Sequence, residues 1–156
     1  MFRTLVAGAI ALFAVLPAHA EILAHDAYAR STNQKTGAAF MQLMNDGKAD
    51  RLVEVRSDIA RKVELHTHIF DNGIAKMRQV EGGIPLPAGE TVTLERGGLH
   101  VMFMGLTQPL NSGESFPLTL MFESGATLQI NVTVDNERRP DQPMTGHDQM
   151  KGHGAM

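Results

Sequence analysis

The sequence predicts an all-β domain, an antiparallel sandwich or barrel. From Ile22 to Val134 the apolar residues recur with period two in short runs. Those runs are broken at intervals by Gly, Pro, Asn and Asp, the residues that turns require. No stretch carries an apolar stripe of helical spacing over three turns. Many short strands with frequent turns belong to sandwiches and barrels.

Taken in order, the expected strands are "ILAHDAYAR", "GAAFMQLMN", "RLVEVRS", "KVELHTHIF", "GIAKMRQV", "TVTLER", "LHVMFMGL", "FPLTLMFE" and "ATLQINVTV". The stretches "NDGKAD", "DNG", "EGGIPLPAGE", "RGG", "TQPLNSGES" and "ESG" read as turns and loops between them. There is no internal repeat and no sign of a second domain.

The two ends read differently. Residues 1–20 combine Arg3, the apolar run "LVAGAIALFAVL" and a closing "AHA". That is the pattern of a signal peptide, with cleavage expected after Ala20. The run falls short of the ~20 apolar residues a membrane span needs. After Val134, "DNERRPDQP" is charged and proline-bearing, and the rest is poor in aliphatics and rich in Gly. Such a segment buries too little apolar surface to offset its ordering entropy. The expected organisation is a signal peptide (1–20), a β-sandwich domain (21–137) and a disordered tail (138–156).

Composition excludes several functions. Removing Arg3 with the leader takes the formal charge from -3 to -4, which disfavours nucleic acid or an anionic membrane as partner. The chain has no cysteine, hence no disulfide, thiol nucleophile or zinc–thiolate site, and no blue-copper centre, which needs a Cys beside two His. No nucleophile elbow or zincin helix motif is present. Ten Met and seven His remain as soft or borderline metal ligands.

The hairpin at "DNG" has a defined geometry. With Asn72-Gly73 as a two-residue turn, Asp71 pairs with Ile74, His68 with Met77 and His66 with Gln79. His66 and His68 then share a face, and Met77 lies diagonal to His66. In "GGLHVMFMGL", His100, Met102 and Met104 share one face of a strand, while Leu99, Val101 and Phe103 form the natural core face.

Taken singly, a strand Met is core filler and a strand His is solvated or hydrogen-bonded, and Met41, Met44, Met104 and Met121 keep that reading. Two His–Met faces in one exported, Cys-free domain are another matter. Thioether with imidazole is the donor set that suits Cu(I), a soft ion.

These residues resemble the periplasmic copper chaperones of the PCuAC type. The family's pattern is His, ten residues, Met, about twenty-one residues, then His-x-Met. Here ten residues separate His66 from Met77, and twenty-two separate Met77 from His100-Val101-Met102. The extra residue is assigned to the "EGGIPLP" loop, where added length costs little. "ADRLVEV", "VELH", "KMR", "PAGETVTL" and "GGLHVMFMGL" also look like the family.

The resemblance implies a cupredoxin-like β-sandwich that binds one Cu(I) near its surface through His66, Met77, His100 and Met102. It also implies delivery towards the copper centre of cytochrome c oxidase, with Sco-type thiol proteins or the oxidase subunit as partners. This is transfer, not catalysis. His68 stands as a substitute or second-shell candidate, since the hairpin register puts it nearer Met77 than His66 is.

Other classes stay open: copper sequestration with the same ligands, an enzyme on a β-sandwich, or a metal-free interaction module. In the tail, Met144, His147, Met150, His153 and Met156 fall at every third position. A tail of this length reaches ~60–70 Å when extended. It is expected to act as an auxiliary arm, its imidazoles suiting Cu(II) and its thioethers Cu(I).

Overall fold

Ten strands make up the protein's computed structural model, which describes residues 21–140. The expected signal peptide and the tail residues Met144, His147, Met150, His153 and Met156 lie outside the described residues. The strands are β1 (Ile22–Ser31), β2 (Thr36–Asn45), β3 (Asp50–Arg56), β4 (Ala60–Asp71) and β5 (Ile74–Gln79). They are followed by β6 (Ile84–Leu86), β7 (Thr91–Leu94), β8 (His100–Leu106), β9 (Ser115–Phe122) and β10 (Thr127–Val134). No helix is assigned among the described residues, so the all-β class holds.

The strands run β5-β4-β8-β2-β1-β10-β9-β3-β6, with β7 on the far part of β2. This path folds over itself into a cupredoxin-like sandwich. Phe103 on β8 meets Phe116 on β9 edge-to-face at 5.4 Å, although three strands separate β8 from β9 along the path. That contact therefore crosses between layers. Around it Leu43, Leu52, Leu65, Val101, Leu118, Leu120, Ile130 and Val132 are buried in one cluster.

Two features depart from the expected pattern. The sheet is mixed, because β1 and β10 run parallel, with Tyr28 opposite Thr133. A parallel pair needs a long connection, here the whole intervening domain, and alternation within a strand carries no trace of it. The second is β6, inside the expected loop "EGGIPLPAGE". Ile84 and Leu86 are buried and Pro85 sits opposite Arg51 at the sheet edge, where a missing N–H costs no ladder bond. Gly83, at φ 83°, brings its backbone against the Leu52 carbonyl, where a Cβ would overlap it.

After β10 the chain stays attached to β1. The Asp135 amide donates to the Ala29 carbonyl (2.9 Å), and Asn136 accepts from the Ser31 amide through Oδ1 (2.8 Å). Arg138 then pairs with Asp26 and lies over the Tyr28 ring at 4.1 Å. Arg138 thus holds the last described residues against the face that carries Tyr28.

Candidate metal centre

The β4–β5 hairpin has the register its two-residue turn requires. Asn72 (φ 51°) and Gly73 (φ 78°) are both left-handed, so the turn is of the primed type that matches strand twist. His68 faces Met77 and His66 faces Gln79. On its other side β4 pairs with β8, setting His66 opposite His100 and Glu64 opposite Met102. Alternation then gathers Glu64, His66, His68, Met77, His100 and Met102 on one face of three adjacent strands.

The opposite face of β8 is core, with Val101 and Phe103 fully buried as the alternation required. His100 does not lie near the surface, however. It is 2% exposed, covered on one side by Phe40 (6.1 Å between ring centres) and flanked by His66 (6.0 Å) and His68 (5.3 Å). Two imidazoles bound to one ion at ~2 Å have ring centres about 5–6 Å apart for bond angles from tetrahedral to linear. Both separations fall in that range. Met77, at the other end, is 46% exposed. The face therefore runs from a buried imidazole to an open thioether.

Hydrogen-bond partners settle which ring nitrogens are free. A carbonyl or carboxylate oxygen only accepts, so the imidazole atom against it must carry the proton. His100 Nδ1 donates to the Gly98 carbonyl at 3.0 Å, leaving Nε2 with its lone pair. His66 Nε2 donates to Glu64 Oε2 at 2.8 Å, leaving Nδ1. That Nδ1 is buried and has no hydrogen-bond partner. Buried polar atoms are almost always paired, and an orphaned imidazole lone pair costs free energy unless something accepts it. A bound cation would.

The electrostatics support a neutral His100. Burial is the main cause that holds His100 below the ordinary histidine range; the Gly98 bond opposes it, and charge on His68 and His66 adds to it. Glu64 is held below the usual carboxylate range by Lys62 (Nζ to Oε1, 2.6 Å) and then by His66. It stays ionised and accepts from His66, the arrangement in which an outer carboxylate orients a ligand imidazole. Among the described residues no group of three or more His, Asp or Glu side chains is arranged to hold a metal ion, so the thioethers are needed to complete a ligand shell.

Of the residues expected from sequence, the three imidazoles meet through ring contacts, and both Met side chains lie on their face. Met77 is opposite His68, not His66, as the hairpin register required. Glu64 and the Gly98 carbonyl were not anticipated. "ELH" did hold a signal for Glu64, since a residue two before His66 shares its face. Nothing in the sequence announces a backbone carbonyl as a partner. Of the four Met residues read as core filler, Met41 alone is buried; Met44 is exposed, and Met104 and Met121 are half-buried.

A family model described as "Putative lipoprotein LpqE-like" matches residues 22–134, the whole ten-strand domain. The chain belongs to the LpqE-like family. This LpqE-like chain is 34% identical over 109 residues to "Putative lipoprotein Lxx21020" of Leifsonia xyli, covering 69% of this chain and 66% of that protein. It is 30% identical over 129 residues to "Uncharacterized protein RP573" of Rickettsia prowazekii, covering 79% and 71%. Among solved structures, CuI-DR1885 from Deinococcus radiodurans shares 32% identity at a TM-score of 0.57, covering 80% of this chain and 83% of that one. The copper-bound PCuAC domain from PmoF2 matches at a TM-score of 0.61 and 24% identity, covering 74% and 92%, a likeness of fold.

Proposed function

We propose that this LpqE-like domain is an extracytoplasmic copper carrier that holds one Cu(I) through His66, Met77, His100 and Met102 and hands it on without chemical catalysis. The observation that carries this reading is the buried, unpartnered Nδ1 of His66 beside the buried ring of His100. Two imidazole lone pairs and two thioethers on one sheet face form a donor set for a soft cation. The likeness to a Cu(I)-bound protein at 32% identity supports the same metal.

The gradient of burial describes how the ion leaves. An acceptor thiolate approaching from solvent meets Met77 first and His100 last. Release then proceeds by ligand exchange, one donor at a time, with the buried imidazole retaining the ion until the acceptor has supplied its own ligands. Cytochrome c oxidase copper-centre assembly, through Sco-type thiol proteins or the oxidase subunit, is the proposed destination. The periplasm is the proposed site of action. Met144, His147, Met150, His153 and Met156 form the proposed auxiliary arm for Cu(II) or Cu(I).

A Cu(I) titration against a chromophoric chelator tests the reading, run on the full chain and on a chain ending at Pro140. The second endpoint keeps Arg138 on Tyr28. One tightly held Cu(I) in both chains is expected, with additional copper only in the longer. A Pro140 chain that does not compete with the chelator would remove the core site.

A further inference from the structure

His68 is the imidazole that the four-ligand set leaves unused, yet it is built like the other two. Its ring lies closer to His100 (5.3 Å) than that of His66 does (6.0 Å). Its Nδ1 stands 3.5 Å from the Gly98 carbonyl, the same oxygen that takes the His100 Nδ1 proton at 3.0 Å. A carbonyl accepts from an N–H, so this long contact is the one that a His68 tautomer with its proton on Nδ1 and its lone pair on Nε2 would make. Backbone carbonyls on the far nitrogen are how proteins fix ligand imidazoles. Gly98 is itself fixed, its amide donating to the Glu95 carbonyl at 3.0 Å. One carbonyl on the β7–β8 loop thus lies against the Nδ1 atoms of two imidazoles.

We propose that His68 is a third imidazole ligand of the core site, recruited for Cu(II), so that the core accepts copper in both oxidation states. This rests on the core copper reading above. Cu(I) is satisfied by two imidazoles and two thioethers. Cu(II) prefers nitrogen donors, and a third imidazole supplies one where Met77 serves poorly. His68 stands directly opposite Met77 in the hairpin, so the two side chains are cross-strand neighbours on one face. As they stand, the three imidazoles do not form a metal-holding group; each of His66 and His68 has its ring against that of His100, and His68 joins the set by turning Nε2 towards the ion. Binding involves no electron transfer: each ion enters in the state in which it is supplied.

The test uses the full-length chain carrying His147→Asn and His153→Asn, which silences the tail imidazoles, with and without His68→Ala. Aqueous Cu(II) is titrated and followed by electron paramagnetic resonance, and Cu(I) by chelator competition. The expected result is a Cu(II) affinity at least tenfold lower in the His68→Ala chain, with one fewer coupled nitrogen in the spectrum. Its Cu(I) affinity stays within about threefold, which also shows that the variant is folded. Unchanged Cu(II) affinity and nitrogen count would overturn the proposal while leaving the core reading intact. A tenfold loss of Cu(I) affinity would overturn it by making His68 a Cu(I) ligand. If His100→Ala alters neither ion's binding, the core reading fails, and this proposal with it.

Discussion

His66 and His100 face each other across the β4–β8 ladder, with ring centres 6.0 Å apart and planes tilted by 50°. Each has one nitrogen tied to an acceptor, Glu64 for His66 and Gly98 for His100. What remains is a pair of lone pairs on the sheet face that also carries Met77 and Met102.

Truncating either member of the closing His-x-Met pair should weaken the core. His100→Ala or Met102→Ala is expected to lower Cu(I) affinity at least tenfold, about 1.4 kcal/mol. Competition with a Cu(I) chelator measures it, and unchanged competition in both variants would sink the four-ligand site.

Glu64 acts through His66. Glu64→Gln removes the carboxylate that accepts from Nε2, and loss of such an outer partner typically costs about 10–100-fold in metal affinity. A loss near the lower end is expected, because Gln keeps a carbonyl oxygen that can accept. Wild-type affinity in Glu64→Gln and in Glu64→Ala would show that His66 needs no orienting partner.

Acid should weaken both copper binding and the apo fold. Imidazole must be neutral to ligate, so Cu(I) affinity is expected to be flat above pH ~6.5 and to fall below it. Burial lowers the native pKa of His100, so between that value and ~6.5 the unfolded chain binds more protons than the native one. Stability is therefore fully present above ~6.5 and declines as pH falls through this window. Denaturant unfolding of wild type and His100→Gln at pH 7.5 and 5.5 reads this directly. Equal losses in the two chains would assign the acid sensitivity to other groups.

The turn of the metal hairpin depends on Gly73. At φ 78° a side chain is strained even though a Cβ there would meet no neighbouring atom. Gly73→Ala should cost about 1–2 kcal/mol, all of it from backbone conformation. Hydrogen exchange should show the loss confined to β4–β5, with Met77 less well placed and Cu(I) held less tightly. Unaltered protection at Lys76 and Met77 would mean that the turn does not hold the hairpin.

Much of the fold was legible because its cause is local. Side-chain alternation marked nine of the ten strands, and Asn72-Gly73 set the register that puts Met77 opposite His68. Those features depend on near neighbours in the chain. β6 escaped because three residues with a central Pro have no periodicity of their own, and only the buried positions beside β3 make Ile84–Leu86 a strand.

By itself, the sequence determined the all-β class, the hairpin geometry and the supply of imidazole and thioether donors in a chain without thiols. Tertiary structure alone decided that β8 lies beside β4, which turns two separate His–Met faces into one. It also buried His100 beneath Phe40, brought Gly98 to two imidazoles and left His66 Nδ1 without a partner. The physical reason is that pairing between distant strands, and the desolvation it brings, depends on how whole layers close over the core. No single strand carries that information.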